Sequence, residues 1–110
     1  MGLTLNGIEV SYSEAIRAAE SIEGASRTLK KAYGHCETAE QNVTASWTGD
    51  NVSRYLSLLG ERKNAIKEEY DQLDEVAAAI RKTAALYRDQ QLKAYDAQEA
   101  KARKKAQKGH

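Results

Sequence analysis

The side chains best suited to chemistry are few in this chain and poorly grouped for it. His35 and Cys36 adjoin each other, and the only other histidine is His110. Neighbours one residue apart on a helix do not face one site, so a His/Cys metal centre is not expected. One cysteine excludes an internal disulfide framework and fits a reducing compartment. Cys36 reads as a buried apolar filler, with a disulfide across a dimer seam as the sharper alternative. There is no glycine-rich phosphate loop, and no nucleophile stands beside a base. Glu61, Glu68, Glu69, Asp71, Asp74 and Glu75 alternate with Arg62, Lys63, Lys67, Arg81 and Lys82, as solvated helix faces do. No catalytic residue, metal or cofactor is expected, and the chain does not read as an enzyme.

Charge and hydropathy exclude further classes. With 17 Lys and Arg against 16 Asp and Glu, the net charge is +1, which gives no field to steer nucleic acid or an acidic membrane. Lys101, Arg103, Lys104, Lys105 and Lys108 crowd the C-terminal end. They suit the negative end of a helix dipole, and no aromatic ring is interleaved for base stacking. No apolar run approaches the roughly 18 residues of a membrane span, so no membrane insertion is expected. "MGLTLNGIEVSYSE" has no basic region followed by an apolar stretch, so it is not an ordinary secretory signal. Two sequons, at Asn42 and Asn51, carry little weight without a eukaryotic secretory route.

The elements are clearer than the chemistry. The absence of proline and the abundance of Ala, Glu, Lys, Arg and Leu favour long helices. Residues 1–10 read as an irregular lead-in, and Ser11 with Glu14 forms a capping-box pattern that marks a helix start. Ile8, Ala15, Ile22, Leu29, Cys36 and Val43 then recur every seventh residue, with Ala18, Ala25, Ala32 and Ala39 three positions on. This is an a/d seam whose alanine side admits close helix approach. A second series begins at Val52 and runs through Leu59, Ile66, Leu73, Ile80, Tyr87 and Ala94. Between the two lies Ser46-Trp47-Thr48-Gly49-Asp50, where Gly49 can adopt positive φ and Thr48 or Asp50 can cap the next helix.

One domain is expected, all-α: an antiparallel two-helix hairpin with helix 1 at about 11–46, a turn at 47–50, helix 2 at about 51–100, and a basic flexible tail at 101–110. Ile22, Leu29, Cys36, Val43, Leu59, Ile66, Leu73 and Ile80 form the seam. The second helix should overhang the first over roughly residues 86–100, less whatever the lead-in covers. Leu58, Ala65, Ala79 and Leu86 widen its apolar stripe beyond what one helix covers. So small a chain rarely buries enough surface alone, so the hairpin should dimerise into a four-helix bundle.

The only tryptophan, Trp47, sits at the turn, where its ring can cover the first turn of helix 2. Late in helix 2, Tyr95 and Glu99 stand four residues apart on one face. A helix, a central Trp-x-Gly turn, a second helix and a late Tyr-x-x-x-Glu together resemble the WXG-motif, ESAT-like family of small helical hairpins. The resemblance spans about residues 8–100. It implies Trp47 and Gly49 as the family turn and Tyr95 and Glu99 as a secretion signal. It implies export by a bacterial type VII system without a cleaved signal peptide, so the chain would be cytoplasmic before export and secreted after it. Implied partners are a second copy or a sister hairpin, a larger effector or toxin, and the export ATPase, with no nucleic acid. In an antiparallel dimer, the turn of one subunit would lie near the terminal overhang of the other and form a composite surface. The Trp-to-Tyr spacing is about one heptad longer than in compact members, and the basic extension is long, which leaves open an accessory targeting or chaperone partner of a larger toxin. From another class, the alternative is a cytosolic helical module, structural or nucleic-acid-binding through its basic tail.

Overall fold

The computed structural model describes residues 2–108; His110 lies outside them, as does the end of the expected tail. The described chain is two α-helices and no strand: α1, Leu5–Ser46, and α2, Asn51–Lys108. Both depart from expectation at one end. Helix α1 starts at Leu5 rather than near Ser11, because Thr4 is itself a cap: its Oγ1 accepts the Gly7 amide at 3.0 Å, and its carbonyl accepts the Ile8 amide at 3.0 Å. The Asn6-Gly7 pair falls in the first turn and is absorbed there. Helix α2 runs through 101–108 because Lys-Ala-Arg-Lys-Lys-Ala-Gln-Lys consists of good helix formers with no breaker. The expected tail is therefore helical as far as Lys108.

The helices pack as two compact units, one spanning Glu20–Ala77 and the other built from the end segments, up to Ala19 and from Ala78 onward. In the Glu20–Ala77 unit the segments run antiparallel, since successive contacts pair Ser26 with Asp74, Tyr33 with Tyr70, Glu40 with Lys63 and Trp47 with Tyr55. Val43 and Ala77 are buried, and Ile22, Leu29, Cys36, Leu59, Ile66 and Leu73 are half-buried. The second line of the seam is the expected one only in part: Ala32 and Ala39 are half-buried, but Ala25 is not. Ala25 is exposed, while Ser26, one residue later, is 1% exposed and Tyr33 and Glu40 are half-buried. A residue four positions after the first apolar line shares its face as well as one three after, so Tyr33 and Glu40 line the seam beside Ala32 and Ala39.

That second line holds the specific contacts. Tyr33 meets Tyr70 edge-on, with ring centroids 6.1 Å apart, an arrangement worth about 0.5–1.5 kcal/mol beyond area burial. Lys63 Nζ sits 5.2 Å from the Tyr33 ring centroid and 2.8 Å from Glu40 Oε1. The hydrogen bond to Glu40, with its charge, raises the Lys63 pKa. Lys67, bonded to Asp71 one turn along, is raised likewise. The Ser26 hydroxyl donates to Asp74 Oδ1 at 2.6 Å, and Lys30 donates to Oδ2 at 3.0 Å. These two bonds, Ser26 first, lower the Asp74 pKa below its ordinary 3.8.

In the unit of end segments, Ile8 and Ala19 are buried, with Tyr12, Ala15 and Ile16 half-buried beside them. Ala18, expected at the seam, is exposed. From α2 come the half-buried Ile80, Ala84, Arg88, Gln91, Tyr95 and Gln98. Tyr87 and Ala94, expected at the seam, are exposed. A helix of 3.6 residues per turn rotates a strict seven-residue series by about 20° per heptad, so after five heptads from Val52 the seam passes from residue 87 to residue 88. Arg88 occupies it by laying its guanidinium 4.7 Å from the Tyr12 ring centroid and donating through Nε and Nη2 to Glu9 Oε1 at 3.0 and 2.7 Å. The expected overhang from residue 86 is covered as far as Gln98, which bonds Leu3, because α1 begins early.

The sign of the Asp74 shift gives a test. A carboxyl lowered by native contacts contributes stability above its unfolded pKa and loses it as pH falls through the folded value. Thermal midpoints measured from about pH 5 down to about pH 2 should fall less steeply in Asp74→Asn than in the wild type; parallel curves would remove Asp74 as a stabilising ion.

Candidate functional site

Two places collect the residues singled out by sequence, one in each unit. The first is the turn, Trp47–Asp50. Helix α1 closes there with the Trp47 amide donating to the Val43 carbonyl at 2.9 Å, and the Val52 amide returns to the Gly49 carbonyl at 3.3 Å. Gly49 has φ of +117°, a conformation that side chains with a Cβ rarely adopt. Nothing lies within 4 Å of where its Cβ would be, so glycine is required by the backbone and not by crowding. Asp50 stands at the cap position of α2.

Trp47 is 52% exposed, and its ring lies 5.1 Å from that of Tyr55, tilted by 35°. Tyr55 is in the second turn of α2, so the ring reaches one turn further than the expected first-turn contact. Tyr55 is itself 43% exposed. The pair forms a ledge with apolar faces and two polar tips, Nε1–H and O–H. Such amphipathic rings are enriched where proteins meet partners.

The second place is the stretch Tyr95-Asp96-Ala97-Gln98-Glu99. Tyr95 is half-buried and Glu99, one turn on, is exposed. Gln98 lies between them and was invisible to sequence reasoning, since an isolated glutamine on a charged helix carries no signature. Its amide engages the backbone of Leu3 twice: the Leu3 amide donates to Oε1 at 3.1 Å, and Nε2 donates to the Leu3 carbonyl at 3.2 Å. Gly2 runs so close that a Cβ there would lie 2.4 to 2.6 Å from the Gln98 amide atoms. In the same unit Ser11, Tyr12, Ala15, Ala84, Tyr87, Arg88 and Gln91 line a hollow of about 50 Å³, far below the several hundred Å³ of ordinary ligand pockets. Among the described residues no cluster of His, Cys, Asp and Glu could hold a metal ion, and no helix is long and apolar enough to cross a membrane.

The seam residues divide between the units. Ile22, Leu29, Cys36, Val43, Leu59, Ile66 and Leu73 lie in one, and Ile80 in the other. Cys36 is a half-buried free thiol.

A family model described as "Proteins of 100 residues with WXG", WXG100, matches residues 7–91. The match takes in Trp47 and Gly49 and stops short of Tyr95 and Glu99. No curated protein and no solved structure matches the chain.

The turn geometry sets an expected result. Gly49→Ala places a Cβ in the positive-φ region at a cost of about 1–3 kcal/mol, which denaturant titration would register as a lower midpoint with an unchanged slope. An unchanged midpoint would mean that the turn relaxes freely.

Proposed function

The chain belongs to the WXG100 family of small helical proteins associated with type VII secretion, and from that membership we propose that it acts as a dimer, as export substrate or as targeting partner of a larger effector. In this reading Trp47 and Gly49 supply the turn, and Tyr95 and Glu99 are read by the export ATPase. The turn of one subunit and the Tyr95–Glu99 stretch of its partner form one composite surface, which exists only after assembly. The protein is cytoplasmic before export and leaves by a route that needs no cleaved signal. The observation that carries the reading is the match through the turn, where an exposed Trp47–Tyr55 ledge stands on a glycine in positive φ.

Helix α2 supports a second copy as the partner. Leu58, Ala65, Gln72, Ala79 and Leu86 are all exposed and recur every seventh residue of α2, a series that supercoiling around a partner helix holds on one face. The series Leu-Ala-Gln-Ala-Leu reads the same from either end. A two-fold axis at Gln72 therefore sets Leu58 against Leu86 and Ala65 against Ala79, as a self-complementary interface requires. Gln72 meets its own copy, and an amide both donates and accepts. On one flank the same axis sets Arg54 against Asp89 and Glu61 against Lys82, each pair twice, while only Glu68 and Glu75 oppose like charge. Every one of these flanking residues is exposed.

Two outcomes test the reading. Gln72→Cys in a Cys36→Ser background should give a disulfide-linked dimer under mild oxidation, while Asn64→Cys, off the stripe, should not; a monomer by light scattering with no cross-link would sink the self-pairing. In the native host, Tyr95→Ala and Glu99→Ala should each abolish appearance of the folded protein in the culture supernatant. Export at the wild-type level would remove the signal role.

A further inference from the structure

We propose that the export signal of this protein has two segments: the Tyr95–Glu99 turn of α2, and the N-terminal arm Gly2–Thr4, which Gln98 clamps beside it. This rests on the reading of Tyr95 and Glu99 as a recognition surface, and adds to it the arm and a positioning residue.

The clamp is specific in three ways. Both polar functions of one side-chain amide engage both backbone polar groups of one residue, the Leu3 N–H and C=O. That pairing is the one an adjacent strand would make, and it leaves neither group of Leu3 unpaired. The preceding residue is a glycine that passes within a Cβ's reach of the same amide, so a side chain there would push the amide off its partner. The following residue, Thr4, hands the chain directly into α1 through its hydroxyl and carbonyl. The arm has little freedom between the clamp and the cap.

Its location gives the clamp a function. The clamp falls inside Tyr95-Asp96-Ala97-Gln98-Glu99, between the ring and the carboxylate one turn apart. There the arm is held at Gln98, three residues after the half-buried Tyr95 and one before the exposed Glu99. A protein docking on Glu99 and the free edge of Tyr95 meets the backbone of the arm in the same footprint. Gln98 touches the arm and acts through it.

The test compares four variants for export from the native host, with helicity by circular dichroism and dimer mass by light scattering as checks. Gln98→Ala, and deletion of residues 2–4, should each lower export to the same intermediate level, above that of Glu99→Ala, while helicity and mass stay unchanged. Combining the two should lower it no further, because one acts through the other. Gln98→Glu, whose ionised carboxylate cannot donate to the Leu3 carbonyl, should lose export in the same direction. In the purified protein, Gln98→Ala should also abolish the hydrogen-exchange protection of the Leu3 amide. Wild-type export of Gln98→Ala, with Tyr95→Ala and Glu99→Ala still defective, would overturn the two-segment signal and leave the underlying reading intact. Additive defects of Gln98→Ala and the deletion would overturn its role as the residue that positions the arm. Normal export of Tyr95→Ala and Glu99→Ala would remove the reading on which the proposal stands.

Discussion

A chain made only of two helices has one shared face and no second layer to bury it. Everything else in this structure follows from that limit. Among the described residues only Ile8, Ala19, Ser26, Val43 and Ala77 are buried, and the rest of each seam is half or more in water. Apolar area alone discriminates weakly between registers under such conditions, because sliding one helix past the other by a heptad restores much the same contacts. Directional contacts take over that task. Ser26 with Asp74, Glu40 with Lys63 and the Tyr33–Tyr70 pair each match one residue to one partner, as do Glu9 with Arg88 and Leu3 with Gln98. The same shortage of burial leaves Leu58, Val76 and Leu86 about half exposed on α2, and exposed apolar area of this kind marks surfaces that a partner covers.

The helical class, the turn and the first apolar line of each seam were legible because they rest on strong local signals: a seven-residue recurrence without proline, and a glycine between two such series. The second line was legible only in part, at Ala32 and Ala39, because Ala25 and Ser26 both lie close to the first line on a helix wheel, and only the position of the partner decides between them. The start of α1 was misplaced for a related reason. Ser11 and Glu14 make the better cap on paper, yet a cap is needed only where the chain ceases to find helical partners, and Leu3 and Ile8 find theirs earlier. The shift from Tyr87 to Arg88 follows from helix geometry, but it becomes visible only over many turns.

Of the residues proposed to act in recognition, Trp47 and Gly49 were legible as a pair because the turn requires one and exposes the other. Tyr95 and Glu99 were legible as spacing alone. Gln98 was not legible at all, since its two bonds run to a backbone 95 residues away, and backbone carries no residue-type signal. Arg88 shares that invisibility: on sequence it is one more cation on a charged helix, whereas in the fold it covers Tyr12.

The turn at Gly49 has one more consequence. The contacts Ser26–Asp74, Tyr33–Tyr70, Glu40–Lys63 and Glu9–Arg88 all join α1 to α2, and none depends on both helices coming from the same molecule. If residues 47–50 straightened into continuous helix, two chains could exchange arms and reproduce each of those contacts between molecules at no loss. The balance between a closed hairpin and such an interlocked pair therefore rests on four residues, and a glycine that bends readily where others resist is what keeps each chain folded on itself.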